Sequence, residues 1–318
     1  MELCIGIEGQ EGVSWDDWTA IAAACEAHDV PALFCADHYL SRWPDTRRAG
    51  LDAWGTLCGL AAVTRWLRLG SLVSAASFRH PSVLAKLAIT ADHVSGGRLE
   101  LGMGAGWYDA EHRAYGFPVH DVRTRMDILE EQVEVVSRLL GPSAFSFAGD
   151  HYAYPGTDAQ PKPVRGHIPL ILGGEAGPRA ARIAARWADE YNSAPAPPEE
   201  CRRRRARLDA ACRTVGRDPG TLRFSVLQWL LIGSDAAELR GRARTLAELH
   251  GQPERDPDRL LGELAASDWC IAGTPDAVAE RLRAFAVAGA DRVVLALAAH
   301  RDLDQIALIG RELAPRAG

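Results

Sequence analysis

Ala36-Asp37-His38 closes the second apolar run of the chain. A histidine at a strand end can donate to, or exchange a proton with, a substrate oxygen or nitrogen. Asp37 beside it can fix which ring nitrogen carries the proton; the alternative is a satisfied buried histidine. Glu111 is a second acid, one helical turn beyond Trp107, and it either faces the same site or serves as a cap or ion-pair partner. Two glycine turns offer space. Gly104-Ala105-Gly106 ends the apolar run Leu99–Met103 and is either a floor for a flat ring or a tight turn needing positive φ. Gly173-Gly174-Glu175-Ala176-Gly177 precedes a helix opening at Pro178. Free N–H groups there, with no Cβ in the way, attract a phosphate; the alternative is a plain strand-to-helix turn. Glu175 would repel that phosphate, so it points away or other loops hold the anion.

These residues need elements to carry them. Leu67–Val73 reads as a strand, Pro81 opens a helix with Leu84, Leu87, Ala88 and Ala91 at helical spacing, and Leu99–Met103 reads as the next strand. That is one parallel crossover unit. The pattern recurs along the chain. Strands are predicted at Leu3–Ile7, Ala32–Ala36, Leu67–Val73, Leu99–Met103, Pro169–Leu172, Glu190–Asn192, Phe224–Ile232 and Arg292–Leu297, each followed by a helix. Val122–Leu140 reads as a long amphipathic helix. Phe145–Phe147 and Tyr152–Tyr154 read as a hairpin inside an insertion between the fourth helix and the fifth strand. Residues 235–267 read as one or two helices broken near Gly251–Pro257. The economical fold is a single α/β domain over residues 1–318, a (β/α)8 TIM barrel with catalytic loops at the C-terminal strand ends. A doubly wound sheet would want G-x-G-x-x-G after the first strand, and Gly9-Gln10-Glu11-Gly12 is not that.

Composition limits the partners. The net charge of −6 argues against nucleic acid, and the arginines at 202–205 read as a solvated helix face beside Glu199 and Glu200. No apolar stretch is long enough to span a membrane, and MELCIGIEGQ does not read as a signal peptide. Seven scattered cysteines with no C-x-x-C pair read as reduced thiols of a cytoplasmic protein, with no metal site expected.

The block SFRHPSVLAKLAITADHVSGGRLELGMGAGW, residues 77–107, resembles the signature of the luciferase-like flavin and deazaflavin oxidoreductases, most closely the branch that uses deazaflavin coenzyme F420. Weaker matches lie at Ala36-Asp37-His38, Pro169–Gly174 and Gly273-Thr274-Pro275. The resemblance implies hydride transfer between F420 and a small organic substrate. A monooxygenase using reduced flavin mononucleotide (FMN) and oxygen is the alternative, and a cofactor-free barrel acting as a binding partner the third reading. It implies a cis peptide between Leu72 and Val73 against the cofactor ring, contact of Gly104, Ala105, Gly106 and Trp107 with the cofactor, and His38 near the reactive carbon. Trp43 follows roughly where some relatives use a tryptophan. Trp107 stands where a sugar-phosphate dehydrogenase branch has a catalytic glutamate, so that substrate is not expected here. Relatives commonly pair through helices beside the early strands, so a homodimer through Ala53–Thr64 and Ser82–His93 is expected.

Overall fold

A computed structural model describes residues 1–43 and 45–316. The last two residues of the domain expected over 1–318 therefore lie outside the described residues. In chain order the elements are β1 (Glu2–Ile7), α1 (Trp15–Ala27), β2 (Ala32–Cys35), α2 (Ala53–Val63), β3 (Arg68–Ser71), β4 (Ser74–Ala75), α3 (Pro81–Ser95) and β5 (Leu99–Gly104). Then come α4 (Asp109–Tyr115), α5 (Val122–Leu140), the hairpin β6 (Phe145–Ala148) and β7 (Ala153–Thr157), β8 (Leu170–Gly174) and α6 (Pro178–Trp187). The chain continues through β9 (Glu190–Ser193), α7 (Pro198–Thr214), β10 (Arg223–Ile232), α8 (Ala236–Leu249), α9 (Pro257–Ala266), β11 (Cys270–Gly273), α10 (Pro275–Val287), β12 (Arg292–Leu297) and α11 (Asp304–Leu308).

Strands β1, β2, β3, β5, β8, β9, β10 and β12 pair in parallel in that order, and β12 pairs back onto β1. The eight expected strands thus close into the expected barrel. Local chemistry sets the helix starts. Ser14 and Asp17 form a reciprocal capping box on α1, and Asp52, Asp121, Asp235 and Asp256 cap α2, α5, α8 and α9. No described helix is long and apolar enough to cross a membrane.

Four stretches differ from the sequence expectation. The strand expected over Leu67–Val73 stops at Ser71; a cis peptide joins Leu72 to Val73, and β4 resumes on β5 alone. A seven-residue helix, α4, fills the segment after Trp107, too short to show a helical period. The last helix, expected over Leu303–Leu313, is α-helical only to Leu308 and continues as a π-turn. A further parallel strand, β11, pairs with Trp229–Ile232 of β10, beyond the stretch Arg223–Val226 that pairs with β9. It is four residues long, two of them small, and signals weakly. With α8 and α9 it encloses a separate apolar cluster of Leu231, Leu246, Leu260 and Leu264.

The N-terminal end of the barrel is closed by charge. Arg292, only 1% exposed, opens β12. Its Nε lies 2.7 Å from Glu2, its Nη1 2.6 Å from Glu100 and 3.1 Å from Glu190. Arg68 and Arg223 flank the same carboxylates. Burial works to raise the Glu2 pKa, but Arg292, Arg68 and Arg223 outweigh it and hold it at about 2. Glu2 therefore stabilises the fold above its usual range near 4.5, and that contribution is lost as pH falls through about 2. Arg292→Met strands buried carboxylates without their cation, so urea unfolding should show a loss of about 3–5 kcal/mol at pH 7. The loss should shrink as pH falls below 4.5. An unchanged unfolding midpoint at pH 7 would refute this account of the plug.

Candidate active site

The opposite, C-terminal end of the barrel holds a cavity of about 520 Å³. Each wall is the end of a strand. Glu8 follows β1, Asp37 and His38 follow β2, Leu72 and Val73 lie between β3 and β4, and Gly104 to Trp107 end β5. Gly173, Gly174 and Glu175 come from β8, Asn192 from β9 and Leu227 from β10. Glu111 and His112 reach it from α4. A larger depression of about 620 Å³, lined by Thr274, Asp276 and Arg316, lies at α10 and holds none of the candidate residues.

His38 and Glu111 form the central pair. His38 Nδ1 donates to Glu111, 3.0 Å from Oε2 and 3.2 Å from Oε1. Glu111 is fully buried and also accepts from the backbone N–H of Tyr39 at 2.5 Å and of Leu40 at 3.0 Å. It thus joins two of its expected alternatives, facing the site and serving as an ion-pair partner, and it anchors the loop as well. Burial opposes the charged imidazole, yet the Glu111 hydrogen bond and the carboxylates of Glu8 and Glu111 prevail, so the His38 pKa is raised. Glu111 itself is desolvated, but the His38 contacts and the two loop N–H groups hold its pKa down. Both shifts favour an imidazolium–carboxylate pair, with Nε2 left as the other donor position of the ring.

Asp37 does not orient His38, contrary to the sequence expectation. Its carboxylate takes Arg79 in a two-pronged bridge, at 2.5 Å to Nη1 and 3.2 Å to Nη2. Both residues lie in the irregular segment beyond Cys35, where the last strand residue no longer fixes side-chain direction, and the Arg79 guanidinium claims the Asp37 carboxylate. Arg79 continues to Asp52 at 2.8 Å and to the Tyr39 hydroxyl at 3.0 Å, so Asp37 braces the wall behind the histidine.

The glycines divide by cause. A Cβ on Gly104 would lie 2.7 Å from Val73 Cγ2, and one on Gly173 would lie 2.8 Å from Val73 Cγ1. Both are glycine because Val73 occupies the space between them. Gly106 has φ +76, so the tight-turn reading holds there, and the same residue lines the cavity. Ala176 sits outside the cavity lining at φ +50, its N–H donated to the Tyr191 hydroxyl at 2.7 Å. Gly177 is the N-cap of α6; no side chain caps that helix, and a Cβ at Gly177 would meet nothing within 4 Å. Glu175 is exposed at the cavity edge.

Trp107, 59% exposed, stands edge-on to His38 with ring centroids 6.0 Å apart. Trp43 does not line the cavity; it stacks on His250 at 3.8 Å. Sequence reading missed Glu8, Arg42, His112 and Asn192. Glu8 had the signal that marked His38, a polar residue straight after an apolar run. Arg42 and His112 lie in irregular or short segments, where spacing carries no signal. His112 donates from Nδ1 to the Tyr108 carbonyl at 2.8 Å, so its Nε2 accepts from the Ser77 hydroxyl at 2.7 Å.

Set beside known proteins, the chain belongs to the luciferase-like monooxygenase family, whose model matches residues 4–292. Its matched segment spans about half the length of the first curated relatives, uncharacterised mycobacterial proteins that are 33% identical over 153 residues. An F420-dependent glucose-6-phosphate dehydrogenase of Nakamurella multipartita is 27% identical over 314 residues, 93% of this chain and 91% of that one. The coenzyme F420-dependent tetrahydromethanopterin reductase of Methanopyrus kandleri has the same fold, with TM-score 0.80, 20% identity and 100% of both chains covered. So does a type II Baeyer-Villiger monooxygenase component from Pseudomonas putida solved with FMN, with TM-score 0.75, 16% identity and 99% of both chains covered.

The pair geometry predicts a titration. In Glu111→Gln the amide oxygen can still accept from the loop N–H groups, while the negative charge beside Nδ1 is gone. The His38 midpoint, followed by NMR of its ring Cε1–H, should lie above 6.5 in the native protein and fall in the variant. Because the native value is raised, its stabilising contribution is full below about 6.5 and fades as pH climbs through the midpoint. Equal midpoints in the two proteins would remove Glu111 from this role.

Proposed function

We propose that this chain is an oxidoreductase that binds deazaflavin F420 in the C-terminal cavity and transfers hydride between it and a small organic substrate. The observation that carries the reading is the His38–Glu111 pair facing a floor of glycine and aliphatic side chains. The sequence block around β5 and the near-full-length match to an F420-dependent relative support F420 over FMN. FMN with oxygen is the second reading, favoured by the fold shared with an FMN-bound monooxygenase.

The residues present fit such a cofactor. The cavity is roomy, Leu72, Val73, Ala75 and Leu227 give it apolar surface, and Gly177 leaves the start of α6 open. Bound there, a deazaflavin supplies a carbon that gives or takes a hydride. The chain's own residues do the rest. Leu72, Val73 and Gly104 to Gly106 would hold the ring, and the first turn of α6 would face a phosphate. His38 holds a proton at Nε2 for a substrate oxygen or nitrogen, while Glu111 balances its charge and fixes its ring. The apolar lining keeps water from the reacting atoms. Trp107 puts an indole where a sugar phosphate would need an acid, so that substrate is not proposed.

The test is a titration of purified protein with F420 and with FMN, read by absorbance, followed by turnover assays without oxygen. F420 should bind more tightly and turnover should need no oxygen. His38→Ala should lower kcat by about a hundredfold with little change in cofactor affinity. Tighter binding of FMN, with oxygen consumed in step with product, would replace this reading by the monooxygenase.

The phosphate end has its own probe. Gly174, at φ +149, resists substitution, but Gly177 is an open N-cap at φ −58. Gly177→Asp should cap α6 and leave stability equal or slightly higher, because aspartate caps about as well as or better than glycine. The same carboxylate should weaken cofactor binding at least about tenfold. Unchanged affinity would place the phosphate elsewhere.

A further inference from the structure

We propose that Arg42 anchors a carboxylate on the substrate, so that the substrate class is an organic acid with an apolar body. This rests on the oxidoreductase reading of the same cavity and goes beyond it. Arg42 lies in the loop after β2 and lines the cavity that His38 lines. Its side chain is 31% exposed. Among the described residues its side chain makes no hydrogen bond and has one ion-pair partner, Glu8, with Nη2 3.3 Å from Oε1, while its charge also acts on His38 and opposes the raised imidazole. A guanidinium carries five N–H donors in a planar fork, and a single end-on contact leaves most of them available. A carboxylate is the group that fork matches in two-point geometry.

The position is built. The Arg42 N–H donates to Glu11 at 2.9 Å, and the Ser41 hydroxyl donates to the other oxygen of Glu11 at 2.6 Å. Glu11 is itself buried, so the loop is held where Arg42 leaves it. The guanidinium carbon sits 5.7 Å from the Trp107 ring centre and 5.8 Å from that of Trp229. Two indoles flanking one cation hold its plane and shed water from it, which strengthens any charge-assisted bond made there. Leu227, two residues before Trp229 on β10, shares its face of the strand and lines the cavity. The surface beside the cation is thus apolar, and a substrate that leaves its charge on Arg42 places its body on Leu227 and Trp107. Glu8 fits as the group that orients Arg42: its other oxygen is held by Gln10 at 2.5 Å, so it is not free to follow an incoming ligand.

The probe is 3-phenylpropanoate against the neutral 3-phenylpropanamide, titrated by calorimetry into the protein alone and with F420 present. Far-UV circular dichroism checks each variant. Native protein should prefer the acid at least about tenfold, as one charge-assisted pair provides. Arg42→Gln should abolish the preference, and Arg42→Lys should keep part of it through charge without the fork. Glu8→Gln should tighten the acid, since it removes the competing carboxylate. The opposite signs at Arg42 and Glu8 are the signature, because a merely structural ion pair would weaken binding from either side. Equal binding of acid and amide in both arms, or weaker acid binding in Glu8→Gln, overturns the proposal. Failure of F420 to bind, with the acid preference intact in the protein alone, strikes only the cofactor reading.

Discussion

One arginine holds the closed end of the barrel. Arg292 starts the last strand, and its carboxylates come from the first, from β5 and from β9. Those strands are far apart in sequence and lie on different sides of the ring. An apolar plug would fill the same volume, but only directional bonds fix which strand faces which. The buried charges cost desolvation, and the bridges offset that cost only when the strands arrive in register. Everything at the other end follows, because a strand whose start is fixed delivers its last residue at a fixed height.

That division of labour suits the chemistry. The closed end spends charge on geometry, and the open end keeps its charges in pairs beside apolar surface. Three ion pairs meet the cavity, His38–Glu111, Glu8–Arg42 and Asp37–Arg79, each with its acid and base together. A proton-bearing imidazole in apolar surroundings would ordinarily be neutral. Glu111 reverses that while also tying down the backbone at Tyr39 and Leu40, so the loop that carries the proton is ordered by the group that tunes it.

Much of this was legible in the chain itself. Barrel strands gave continuous apolar runs, and helices gave amphipathic spacing or an opening proline, so Val122–Leu140, Pro178–Trp187 and Arg292–Leu297 were placed to the residue. His38 and the glycine turns were legible because polar or small residues after an apolar run stand out. What stayed hidden depends on contacts between distant segments. Gly104 and Gly173 read as room for a ligand, yet Val73 uses that room from the break between β3 and β4. Asp37 read as the partner of its neighbour, yet it pairs with Arg79, while the partner of His38 comes from 73 positions away. No periodicity encodes such pairs. Arg42 sits in an irregular loop, where position follows from anchors such as Glu11 and not from pattern.

The strand β11 lengthens one side of the barrel wall and brings its own apolar cluster, apart from the main core. Two cores in one barrel separate two kinds of tolerance to change. Side chains of the main core answer to all eight staves at once, so a substitution there is felt around the ring. Leu246, Leu260 and Leu264 pack mainly with α8, α9, β11 and the outer half of β10, and touch the main barrel at Ala298. That outer wall, with Trp229 on it, can be repacked or reshaped by mutation while the ring beneath it stays shut. Because Trp229 also flanks Arg42, repacking that wall would reach the rim of the mouth first.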